Sequence, residues 1–155
     1  MAAPSLLNLV DIIRQVVATH PAEPSFASSE RNTISLSGGT KPIHVHLEQP
    51  FRKQLLFPRG GSPTAQYDLS VMVLDIPKVM DADETLKAIS RCDMIGSWIV
   101  LRLRENPPTV LQVVGNVDIL SLQEFGGDQW AGVRMEFSII TPLPMGACDM
   151  RHYQP

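Results

Sequence analysis

The chain has 155 residues, 44% hydrophobic and 19% charged, a composition that suits one globular domain with a sizeable core. A net charge of −3 and an isoelectric point near 5.7 argue against a surface devoted to nucleic acid, which needs a basic patch. No apolar run reaches the roughly eighteen residues of a membrane span, and the N-terminus lacks the basic start and continuous apolar core of a signal peptide.

The segment Ser5–Thr19 places Leu6, Leu9, Val10, Ile13, Val16 and Val17 at steps of three and four, which predicts an amphipathic helix. Pro4 and Ser5 suit its first turn, and His20-Pro21 stops it. Its polar face carries Asn8, Asp11, Arg14 and Gln15, so it is expected to pack on a sheet rather than lie on a membrane. Residues 21–42 are rich in Pro, Ser, Gly and Thr, a loop with at most a short strand, anchored by Phe26 and the Ile34/Leu36 pair.

Ile43, Val45 and Leu47 then alternate with His44, His46 and Glu48 as a half-buried strand ended by Pro50. The stretch 51–58 fits a short strand or an extended connection, and Arg59-Gly60-Gly61-Ser62-Pro63 fits a flexible loop whose charge adds to that of Arg52 and Lys53. Tyr67–Ile76 is apolar on both faces, which predicts a central strand covered on both sides.

Asp81 and Asp83 can each cap the next helix, expected from about Glu84 to Arg104 with Leu86, Ile89, Ile95, Ile99 and Leu103 inward. Gly96 lies in its middle, either as a close-packing point or as a break that makes 98–104 a strand. Val113–Leu122 and Val133–Ile139 are the strands of a hairpin around Gly126-Gly127-Asp128, with Trp130 where the chain re-enters the sheet. After Pro142 periodicity is lost, which predicts an extended arm over 142–155.

These elements predict an α+β fold over residues 1–141. Its sheet is mostly antiparallel, of about four to five strands, with an N-terminal amphipathic helix and one further helix packed on it, long loops and a C-terminal arm.

Chemistry-bearing patterns are few. His44 and His46 lie on one face of a strand and form the best metal pair, with a third ligand to come from Glu48, His152 or an acid brought in by folding. No Ser occupies a G-x-S-x-G turn, and neither Gly38-Gly39 nor Gly60-Gly61 is a phosphate loop. Cys92 and Cys148 have neither metal-ligand spacing nor a disulfide framework, so two free thiols are expected. The acids Asp81, Asp83 and Glu84 are better explained as a helix start than as a cation site. No catalytic residue, cofactor or resident metal is expected.

The element order carries a resemblance. The segments Leu6-Leu7-Asn8-Leu9 with Ile12-Ile13, Val71–Asp75, Ala131-Gly132 with Met135 and Phe137, and the late Cys148 together resemble small virion proteins of tailed phages and prophages of the Bacteroidetes. The likeness spans most of the chain as a series of short matches. In architecture the chain also resembles tail terminator and head–tail connector proteins.

That resemblance implies a virion protein that is not an enzyme, forming a homo-oligomeric ring, commonly six-fold, with twelve-fold as the alternative. The ring would contact tail-tube, connector or portal proteins, with DNA only passing through a lumen and no membrane contact. The loops at 25–40 and 59–63 would face the lumen or a neighbour, and the arm would lie on an adjacent subunit. The interface residues this implies are Arg52, Lys53, Arg59, Trp130, Leu143, Met145, Met150 and Tyr153. Two other readings of the residues stand beside it: a small metal- or ligand-binding enzyme domain using His44 and His46, and an adaptor that binds a peptide along a strand edge.

Overall fold

A computed structural model describes residues 6–30, 43–49, 51–77, 81–108, 110–125 and 130–143. Two helices and six strands follow in the order α1 (Leu6–Ala18), β1 (Ser25–Glu30), β2 (Ile43–Gln49), β3 (Arg52–Leu56), β4 (Thr64–Asp75), α2 (Ala82–Glu105), β5 (Gln112–Phe125) and β6 (Trp130–Pro142). The strands form one sheet in the order β1-β2-β4-β6-β5, with β3 pairing on β4 beside the end of β2. Only β1 and β2 run parallel. The α+β class and mostly antiparallel sheet follow the sequence. The short strand allowed within 21–42 is Ser25–Glu30, β1, and Arg52–Leu56, β3, takes the strand alternative for 51–58, so the sheet has six strands rather than four to five.

The sheet sorts its residues by parity. Ala65, Tyr67, Leu69, Val71 and Val73 of β4 join Val133, Met135, Phe137 and Ile139 of β6 and Val45 and Leu47 of β2 in one apolar layer. Both helices cover this face. α1 buries Leu9, Ile12, Ile13, Val16 and Val17, five side chains that at about 1.5–3 kcal/mol each hold the helix down. It ends where Thr19 Oγ1 donates to the Val16 carbonyl at 2.7 Å. The expected capping residues Pro4 and Ser5 lie outside the described residues.

α2 is a single helix through residue 105, so 98–104 is helical. Its N-cap is Asp81, whose carboxylate accepts from the Glu84 N–H at 2.8 Å, worth about 1 kcal/mol. Asp83 sits inside the first turn instead, where its charge favours the positive helix end. Ala88, Cys92, Ile95, Ile99 and Leu103 form the buried stripe. Leu86, expected inward, is 65% exposed, because it falls on the side opposite Ala88 and Cys92. Gly96 is a close-packing point: a Cβ there would lie 2.6 Å from Met135 Sδ.

β4 is central, between β2 and β6, but its second face is covered in part. Met72 and Leu74 are buried there with Trp130, and Leu122 packs on them. Gln66, Asp68 and Ser70 on the same face remain partly exposed. Trp130 opens β6 where the sequence placed it, as a buried anchor of this second cluster rather than an exposed interface residue. The β5–β6 turn, Gly126-Gly127-Asp128, lies outside the described residues. β6 runs to Pro142, and the Leu143 N–H donates to the Pro63 carbonyl at 3.0 Å, so the start of the expected arm is tied to the domain.

Candidate functional site: a charged sheet face and an unguarded edge

The face of the sheet turned away from the helices carries a band of charge below the Trp130 cluster. Glu48 of β2 and Arg134 of β6 meet across β4. The guanidinium donates from Nε at 2.9 Å and from Nη2 at 2.7 Å to one carboxylate oxygen of Glu48. Arg134 also bonds the Glu136 carboxylate on its own strand, two residues on and therefore on the same face. The Glu48 carboxylate raises the Arg134 pKa above its ordinary value.

One row along, Ser138 Oγ donates to Asp68 at 2.6 Å and Gln66 Nε2 at 3.1 Å; these two bonds hold the Asp68 carboxyl below its usual range. Arg52 lies 3.8 Å from the other Asp68 oxygen. Arg52, Asp68 and Ser138, with the Glu48–Arg134–Glu136 group and Ser70, Asn116 and Asp118, line a concavity of about 690 Å³. Its four carboxylates outnumber its two guanidinium groups. No local pattern announces this network, because Glu48 and Arg134 are 86 positions apart; its one visible signal is the Arg134/Glu136 alternation on a strand.

His44 and His46 stand beside this band on β2, ring centroids 6.1 Å apart. His44 Nδ1 is 2.7 Å from Ser25 Oγ of β1. His46 Nε2 is 3.1 Å from the Ser29 carbonyl and therefore carries the proton, which leaves Nδ1 as a buried acceptor with no hydrogen-bond partner among the described residues. Burial lowers both pKa values. His46 lowers that of His44 further, while the Ser29 bond and Glu48 oppose the shift of His46. Both rings thus tie β1 to β2. Of the expected third metal ligands, Glu48 is held by Arg134 and His152 lies outside the described residues. No group of three or more His, Cys, Asp or Glu residues is placed to hold a metal among the described residues. Cys92 is buried, which pushes its thiol up to about 12.

The two flanks of the sheet differ in character. On one, Arg52 and Lys53 of β3 and Arg59 of the following loop are exposed, with the Lys53 ammonium 5.5 Å above the Tyr67 ring. On the other, β5 pairs only with β6 among the described residues. Its fourteen residues contain no Lys, Arg or Pro. It breaks register between Val114 and Asp118, where Gly115 takes φ +71°, a left-handed value that glycine reaches at no steric cost.

Ile119 and Leu120 on β5 are 44% and 61% exposed, and Met94 and Leu101 on α2 are 70% and 51% exposed. A groove of about 510 Å³ runs between α2 and β5, lined by Val100, Leu101, Val113, Val117 and Ile119 among others. Leu143 is half-buried against the core, and Met145, Met150 and Tyr153 lie outside the described residues.

The fold and these surfaces define an α+β domain with one sheet, helices on one face and, among the described residues, an unpaired edge at β5. No protein-family model matches the chain, and no curated protein matches it in sequence. No helix among the described residues is long and apolar enough to cross a membrane.

Proposed function

We propose that this chain is a structural subunit of a tailed-phage virion that assembles with copies of itself into a ring at the tail or head–tail interface, as tail terminator, tail completion or connector proteins do. The observation that carries the self-assembly is the β5 flank. A fourteen-residue edge strand without Lys, Arg or Pro, with Ile119 and Leu120 exposed on it beside exposed Met94 and Leu101, is a surface that calls for a partner. The phage assignment rests on the resemblance of the segments around Leu6–Ile13, Val71–Asp75 and Ala131–Phe137. A ring of such subunits meets tail-tube or portal proteins on its end faces, and DNA passes through its hole. Its acidic balance suits a lumen along which DNA slides.

The test is the mass of the purified chain by light scattering behind a sizing column at several concentrations. The expected result is a discrete species near six times 17.1 kDa, visible as rings by negative stain. A strict monomer up to high protein concentration, with no cross-linked ladder, refutes the self-assembly. The same edge also suits an adaptor that captures an extended peptide, and a monomer that binds such a peptide would favour that reading.

A further inference from the structure

We infer that the open β5 edge receives the β3 flank of a second copy, so that subunits join head to tail and the sheet continues from one into the next. This rests on the self-assembly proposed above and names its contact. The two edges are complementary in charge: β5 bears only acids, Asp118 and Glu124, and β3 bears only bases, Arg52 and Lys53. Exposed Arg59 adds a third cation on the β3 side. Two β5 edges meeting each other would set acid near acid, and two β3 edges base near base. Opposite charges across a strand pair stabilise it and like charges weaken it, so the mixed pairing is favoured.

Apolar surface matches as well. Leu55 and Phe57, in and just after β3, are 50% and 74% exposed, against Ile119 and Leu120 on β5. β3 is short and basic, which keeps it from pairing with another basic edge, whereas β5 is long and carries no Lys, Arg or Pro. The two edges lie on opposite sides of one sheet, so the contact is heterologous. Such contacts close into rings or run on as filaments, and do not stop at a dimer.

The charges allow a swap experiment. The Asp118→Lys variant reverses the charge at the middle of β5, and the Arg52→Glu/Lys53→Glu variant reverses that of the β3 strand. Each is expected to run as a 17.1 kDa monomer in light scattering, while an equimolar mixture regains the large species, because alternating copies restore every contact. Thermal melts of the separate variants check that each is folded. If either is not, Leu120→Ser and Phe57→Ser, both at exposed positions, replace them, and each must then lose assembly.

Assembly lost in Asp118→Lys but kept in Arg52→Glu/Lys53→Glu would overturn the β3 assignment and point to β5 meeting another surface. Assembly kept in both would overturn the edge contact and leave the ring standing. A wild-type chain that never associates would sink both.

Discussion

Gly132 is the position where the fold is least tolerant of a single added carbon. It pairs with Leu74 of β4 on one side and Leu122 of β5 on the other. A Cβ there would lie 1.9 Å from the Val73 carbonyl oxygen and 3.0 Å from the Leu74 Cα, both backbone atoms of the central strand. Neither atom can rotate away, so Gly132→Ala must push β6 from β4. Overpacking costs about 1–3 kcal/mol. Loss of two ladder hydrogen bonds adds about 1 kcal/mol each. Relief of glycine's backbone entropy returns about 0.5–1 kcal/mol. The net is a destabilisation of roughly 2–4 kcal/mol, a sizeable part of the 5–15 kcal/mol of an ordinary domain. For a chain of this length that lowers the melting temperature by about 4–16 °C. Urea unfolding followed by circular dichroism, beside a calorimetric melt, measures both. An unchanged or higher midpoint would mean that β4 and β6 do not approach as closely at Gly132 as the pairing requires.

Other perturbations have equally definite signs. Met135→Ala should cost about 2–5 kcal/mol by opening a cavity under α2. Adding Gly96→Ala should return part of it, since the new methyl enters the space of the lost sulfur and Ala favours the helix by about 1 kcal/mol; a double-mutant cycle in urea reads the coupling. Arg134→Met removes the guanidinium from the buried Glu48 carboxylate and should cost about 3–5 kcal/mol at pH 7, read as a lower urea midpoint. His44 and His46 have folded pKa values below their unfolded value of 6.5, so the unfolded chain takes up more protons. Their contribution is therefore complete above pH 6.5 and is lost as pH falls through the lower folded values. Urea midpoints from pH 7.5 to 5 should fall in the wild type and fall less in His44→Gln/His46→Gln; equal slopes would remove the histidines from the acid response.

The elements readable in the sequence were those whose burial follows one period. Val133, Met135, Phe137 and Ile139 announce β6, and Leu9, Ile13, Val16 and Val17 announce α1, because one face of each meets the core and the other does not. Residues 98–104 were ambiguous for a physical reason. Ile99, Leu101 and Leu103 alternate as a strand would, while Ile99 and Leu103 also continue the helical stripe of Cys92 and Ile95. What decides is tertiary: Gly96 lets α2 press on Met135, and the stripe stays buried beyond it. β1, with the sequence SFASSE, has one apolar anchor and gains its strand from the parallel ladder with β2 and from the two histidines that reach it. The Glu48–Arg134 pair and the bare flank of β5 depend on strand order, which no local pattern encodes. Leu120 is exposed because it lies opposite Arg134 on the face that neither helix covers, at the outermost strand.

The twelve-residue pairing of β4 with β6 has no bulge to pin it, so its register rests on what the side chains meet on each face. A shift by one residue would turn Arg134 and Glu136 into the core and Met135 and Phe137 outward, which the apolar layer forbids. A shift by two keeps every side chain on its face, so hydrophobicity does not resist it. Gly132 and Arg134 do. Sliding β6 by two in the direction that brings Arg134 opposite Leu74 would press a side-chain carbon on the Val73 carbonyl, where only glycine fits. Sliding it the other way carries the guanidinium off the row from which it reaches Glu48. Odd errors are thus rejected by oil and water, and even ones by a missing methyl and a single charge pair.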